Sequence, residues 1–140
     1  MRVAVAVDGS TSSLHAVRAL IDVLGSRKDV EVHVVNVQPP VHWFDLLSDE
    51  KQKIVQQWQQ EAGEDITRPA KRMLAAADLA HVSHVVIGEP AEAIVRCTSR
   101  LGCDMILMGT RGMGGVAGLV LGSVATKVVH LSEVPVMLVK

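Results

Sequence analysis

The sequence predicts an open α/β fold with a parallel five-stranded sheet and helices on both faces. Three observations carry that expectation. Short valine-rich runs alternate with helix-period segments five times, each crossover between strands is long enough for a helix, and a glycine-rich turn follows the fourth apolar run. Helix-length crossovers imply parallel pairing with right-handed connections.

Each element follows from local pattern. "RVAVAVD" (residues 2–8) is apolar almost without interruption, as in a strand covered on both faces. After it the period changes: Leu14, Val17, Ile21 and Leu24 are spaced for a helix, the preceding Ser/Thr residues offer an N-cap, and Gly25 offers a stop. "VEVHVVNV" (30–37) reads as a second strand, closed by "QPP". Residues 48–80 read as helical, with Ile54, Trp58, Ala62, Ile66 and Ala70 as the apolar stripe. Pro69 within it predicts one kinked helix or two abutting ones. "HVSHVVIG" is a third strand. In the helix that follows, Pro90 suits the first turn, Ile94, Cys97 and Leu101 line one face, and Gly102 suits the end. "DMILMG" is strand four, residues 123–131 are helical, and "VPVMLVK" is strand five.

Composition narrows the function. The 140 residues suffice for one domain, 1–140, with a single sizeable core. Hydrophobic residues make up 49% and charged residues 21%, which excludes a disordered chain. A net charge of −1 and only three aromatic residues, Trp43, Phe44 and Trp58, argue against nucleic-acid and anionic-membrane partners. No apolar run reaches the ~18 residues of a membrane span, and Asp8 cuts the N-terminal run short of a signal peptide. Cys97 and Cys103 fit neither a redox pair nor a zinc spacing and are expected as reduced, buried thiols. His81 and His84, three apart on a strand, point to opposite faces, and His15, His33 and His130 are expected partly buried or at the surface. The location expected is cytoplasmic.

In open sheets, ligands bind beyond the carboxyl ends of the strands where the strand order reverses. Asp8, Val37 and the stretch "GTRGMGGVAGLVLGS" (109–123) all fall at such ends and should converge. A glycine-rich turn leading into a helix presents unpaired N–H groups and the positive end of the helix dipole, and so suits an anion, phosphate above all. A Walker A loop is excluded because no Gly-Lys pair occurs. Gly112 to Ala117 matches G-x-G-x-x-A, but the acid that should follow on the next strand is missing: Glu133 precedes that strand.

A longer pattern remains: Gly109-x2-Gly112-x9-Gly122-Ser123. With "VAVDGS", "HVVNV", "VVIGEPAEAIV", "CDMILMGTRG", "LGSVATKVV" and "VPVMLV" in the same order, the chain resembles the universal stress protein family along essentially its whole length. The resemblance implies a Rossmann-like (adenine nucleotide alpha hydrolase-like) sheet of order 3-2-1-4-5, ATP binding, a role as stress-response regulator or sensor, and a homodimer formed through Val134–Lys140. It implies that Asp8 meets the ribose hydroxyls or a phosphate-bound metal, and that Val37 packs on adenine with main chain near Ala6 and Val7. Met108 and Gly109 pass beneath the ribose. Arg111 and Gly112 cover the phosphates, together with the N–H groups of Gly122, Ser123, Val124 and Ala125; the Ser123 hydroxyl serves either a phosphate or its own helix cap. Arg111 is the only strong cation in this loop against roughly four negative charges on ATP, so a divalent cation, Mg2+ or Mn2+, is expected near Asp8 and Ser123. Ala125 replaces a hydroxyl residue that some members carry. Nothing supplies a nucleophile elbow or a general base, so no enzyme is expected beyond slow ATP hydrolysis. The alternative is a nucleotide-independent dimeric module that recruits a protein partner. Residues 42–50, "HWFDLLSDE", fit a lid, a partner contact or a packing plug equally well.

Overall fold

The computed structural model describes residues 1–113 and 121–140. Five parallel strands, β1 (Arg2–Ala6), β2 (Glu31–Gln38), β3 (Ala80–Ile87), β4 (Met105–Gly109) and β5 (Val136–Val139), form one sheet in the order β3-β2-β1-β4-β5. The helices are α1 (Thr11–Leu24), α2 (Asp49–Ala76), α3 (Pro90–Arg100) and α4 (Ser123–Leu131), with a 3-10 turn at Phe44–Leu46. The order reverses between β1 and β4, as the alternating pattern and the resemblance together require.

Two aliphatic layers sandwich the sheet. Val3, Val5, Val32, Val34 and Leu107 meet α1 and α2 through Val17, Leu20 and Leu74. Ala4, Val35, Ile106 and Met108 meet α3 and α4 through Ile94, Cys97 and Val128. β1 is buried on both faces because it lies mid-sheet, hence its unbroken apolar run. Burying each of Leu20, Leu74, Ile106 and Leu107 fully contributes about 1.5–3 kcal/mol relative to exposure.

Several local expectations hold. Ser10 is the N-cap of α1, accepting from Ser13 N–H at 3.1 Å. Gly102 ends α3 in the left-handed region at φ 63°. Gly25 sits at the end of α1 but keeps a right-handed φ of −62°, so it stops the helix without a left-handed cap.

The 48–80 region needs correction. One unbroken helix runs through Pro69 and stops at Ala76, and β3 already begins at Ala80. Pro69 is tolerated because both it and Asp65, whose carbonyl loses its partner, face water. The stripe is also shifted: Gly63, Thr67, Ala70 and Leu74 are buried, whereas Ile54 and Trp58 are 46% and 65% exposed.

Glu64 ties α2 to β3, accepting hydrogen bonds from Lys71 Nζ, Ser83 Oγ and Gln60 Nε2. The Lys71 ammonium, ahead of the others, holds its carboxyl below the ordinary glutamate range. A depressed folded-state value stabilises the fold above the unfolded value, and that contribution is lost as pH falls through the folded one. Urea midpoints should therefore drop more between about pH 5 and 3 in wild type than in Glu64→Gln; equal slopes would show that Glu64 has no share in acid lability.

Candidate functional site

The carboxyl ends of β1, β2 and β4 and the amino end of α4 enclose a cleft of about 430 Å3. Each binding-site residue singled out in the sequence lines it: Ala6 at the end of β1 with Val7 and Asp8 just beyond, Val37 from β2, Met108 and Gly109 from β4, Arg111 and Gly112 from the turn, Gly122 at the N-cap of α4, and Ser123, Val124 and Ala125 from its first turn. Residues 114–120, the rest of the glycine stretch and of the G-x-G-x-x-A match, lie outside the described residues.

Sequence reasoning missed six wall residues: Ser13, Val35, Pro90, Ile94, Thr110 and Met113. Pro90 and Ile94 were legible in principle, since α3 also starts at a strand's carboxyl end and its first turn must face the same crevice.

Asp8 is held from both sides. Its Oδ1 accepts from Ser10 N–H at 2.9 Å and from Ser10 Oγ at 2.5 Å, while Oδ2 accepts from Met113 N–H at 3.3 Å. The carboxylate thus braces the start of α1, leaning over the turn. Across it, Gly109 brings β4 against α1, because a Cβ there would lie 2.3 Å from Ser12 Oγ and 2.6 Å from Ser12 C. Arg111 N–H donates to the same Ser12 Oγ at 3.3 Å.

The amides at α4 divide unevenly. Gly122 N–H donates to Thr110 C=O at 2.6 Å, stapling the two ends of the glycine turn together. It is therefore not available to a ligand, against the sequence expectation. The first bond of the helix runs from Thr126 N–H to Gly122 C=O, and Gly122, the N-cap, has no side chain to offer. The N–H groups of Ser123, Val124 and Ala125 consequently have no partner among the described residues and sit in the cleft wall. Ser123 stands inside the helix at its first position and its hydroxyl makes no capping bond, which removes the cap alternative.

Among the described residues no three His, Cys, Asp or Glu side chains come close enough to hold a metal ion. Asp8 and Ser123 offer one carboxylate and one hydroxyl, a fit for an ion carried mainly by a ligand's own phosphates, not for a protein-held metal.

Outside the cleft, a broader depression of about 820 Å3 follows the flank of α3. It is the larger concavity but lacks a comparable run of amides. The cysteines bordering it are buried, and burial pushes the Cys103 thiol up to about 11, so it is no nucleophile. His33 proves buried instead of partly exposed. Its Nδ1 meets His84 Nε2 at 2.9 Å, and its Nε2 lies 3.3 Å from Glu31 Oε1, within ion-pair range but misaligned for a hydrogen bond.

An open parallel sheet whose cleft lies at the strand-order switch point, walled by a strand-end carboxylate and a helix start, defines a doubly wound α/β protein. Comparison with known proteins sharpens that class. The universal stress protein family model matches residues 1–140, and the chain belongs to that family. It is 27% identical over 139 residues to the universal stress protein MJ0531 of Methanocaldococcus jannaschii, covering 99% of this chain and 81% of that one. Among solved structures, MJ0577 of the same organism superposes with a TM-score of 0.85 at 24% identity, covering 99% of this chain and 94% of that one. The Archaeoglobus fulgidus universal stress protein in complex with dAMP superposes with a TM-score of 0.72 at 24% identity, covering 100% and 98%. No helix among the described residues is long and apolar enough to cross a membrane.

Proposed function

We propose that this chain binds an adenine nucleotide, ATP with Mg2+ or Mn2+, in the switch-point cleft and acts as a cytoplasmic stress-response regulator or sensor, without being an enzyme. The observation that carries the reading is the row of α4 amides, Ser123 to Ala125, with no partner among the described residues and placed in the cleft wall across from Asp8. Three adjacent donors at a helix's positive end suit a phosphate chain. Arg111, exposed at the mouth, adds one positive charge, and the divalent ion offsets the rest. Asp8, pinned by Ser10 through Oδ1, offers Oδ2 to a ribose hydroxyl or to that ion beside or in place of its 3.3 Å bond from Met113 N–H. The dAMP complex of the Archaeoglobus fulgidus relative supports an adenine nucleotide as the ligand, and the base is assigned to the β2 side, where Val37 forms the wall. A second copy of the chain pairs at the β5 edge through Val134–Lys140, covering a half-buried strand that otherwise ends the sheet.

Equilibrium titration with a fluorescent ATP analogue tests the reading. Wild type should bind, and Gly112→Val should lose at least about tenfold, because a Cβ at 112 would lie 2.8 Å from Asp8 Oδ2 and force turn and carboxylate apart. Equal affinities would reject the site. The alternative, a nucleotide-independent partner-recruiting module, draws on the exposed Trp43, Leu46 and Trp58, and predicts no binding by wild type.

A further inference from the structure

The β1–β2 ladder stops one rung early at the base end of the cleft, and a buried side chain is the cause. Val7 N–H donates to Val35 C=O at 2.9 Å, and Gly88 N–H donates to Gln38 C=O at 3.1 Å. Main-chain groups along a strand alternate in direction, so Val35 and Val37 turn theirs toward β1 while Asn36 and Gln38 turn theirs toward β3. The next rung would join Val37 N–H to Val7 C=O. That carbonyl instead accepts Asn36 Nδ2 at 2.8 Å, and among the described residues no backbone bond links Val37 to residues 7–9.

With His33, Asn36 is one of two polar side chains buried in β2, and it is 2% exposed. Its amide is fixed at both ends, since Oδ1 accepts from Gln38 Nε2 at 2.8 Å. Gly63 of α2 makes room above it: a Cβ there would lie 3.0 Å from Asn36 Oδ1. Burying an amide is costly unless it is bonded, and here the bonding opens a ladder that a valine would let close.

We propose that Asn36 is a positioning residue that sets base selectivity. By holding Val7 C=O it leaves the Val37 N–H and C=O side by side and open to the cleft, an assignment that rests on the nucleotide reading above. Adenine presents N1, an acceptor, beside its N6 amino donor. Guanine presents the reverse order, O6 accepting beside N1–H donating. With the ribose held at Asp8, only adenine matches the Val37 pair, and a mismatched base leaves polar groups unpaired.

Asn36→Val tests this, because removing the side-chain donor frees Val7 C=O to take the Val37 N–H. Gln38→Met, which removes only the bond orienting the Asn36 amide, should act in the same direction more weakly. Two measurements apply: hydrogen exchange of the Val37 amide in nucleotide-free protein, and competition titrations with ATP, GTP and tripolyphosphate. In wild type the Val37 amide should exchange at least about tenfold faster than the ladder-bonded Val35 amide; in Asn36→Val the two should converge. ATP affinity should fall about tenfold and the ATP-over-GTP preference with it, while tripolyphosphate affinity stays unchanged. A Val37 amide already protected in wild type overturns the inference. So does an unchanged ATP-over-GTP preference in both variants while wild type binds ATP, which would spare the nucleotide reading. Wild type that binds neither nucleotide overturns both. Should Asn36→Val fail to fold, wild-type exchange and Gln38→Met decide.

Discussion

Gly109→Ala is expected to destabilise the protein by about 3 kcal/mol and to abolish nucleotide binding. The position has no special backbone angle; what forbids a side chain there is proximity. A Cβ would lie 2.3 Å from Ser12 Oγ, 2.6 Å from Ser12 C and 2.7 Å from Ser12 O. The hydroxyl can rotate away, but the backbone atoms belong to the first turn of α1, anchored by the Ser10 cap. Relief therefore requires α1 to shift off β4, and overpacking of this kind costs typically 1–3 kcal/mol, occasionally more. Against a whole-domain stability of roughly 5–15 kcal/mol that is a large share. The same shift breaks the Arg111 N–H to Ser12 Oγ bond and unseats the turn beneath Asp8. Urea denaturation should show the loss, and adding Ser12→Ala should not restore it, since the backbone contacts remain. Rescue by Ser12→Ala would show that the hydroxyl alone is the obstacle.

The strands and the cleft were legible for one reason. A parallel sheet covered on both faces leaves unbroken valine runs, and its ligand site must lie where those runs end, so Asp8, Val37 and the glycine turn could be placed together before any contact was known. What stayed hidden was pairing. Gly122 looked like one more phosphate donor, yet its N–H closes the turn onto Thr110, a contact between residues twelve apart across a loop. Asn36 carries no reading of its own in "HVVNV". Its partner, Val7 C=O, lies just past the end of β1, a neighbouring strand whose adjacency came only from the family resemblance. Single-chain periodicity carries no information on which strands are neighbours, and so none on where a ladder stops.

The long helix shows the other limit, and Leu74→Ala paired with Trp58→Ala measures it. Periodicity alone favoured the row Ile54, Trp58, Ala62, Ile66, Ala70, because large apolar residues dominate such a pattern. The structure buries Gly63, Thr67, Ala70 and Leu74 instead. Small residues lie where α2 comes closest to the sheet: a Cβ on Gly63 would meet both γ carbons of Val85 at 2.5 Å. A bulky side chain cannot enter so narrow a gap, and Trp58, five residues earlier and therefore on another side of the helix, projects outward at 65% exposure. Leu74, at 0% exposure, packs with Leu20, Val34 and Ala70 in the layer under α1 and α2. Truncating it should cost about 2–5 kcal/mol through lost transfer energy and the cavity left behind. Truncating Trp58, the larger residue, should change stability by less than about 0.5 kcal/mol, as at other surface positions. Chemical denaturation of the two variants checks the order. A Trp58→Ala loss as large as that of Leu74→Ala would mean that the helix is seated on its aromatic row after all, and that the small residues of α2 do not mark the contact.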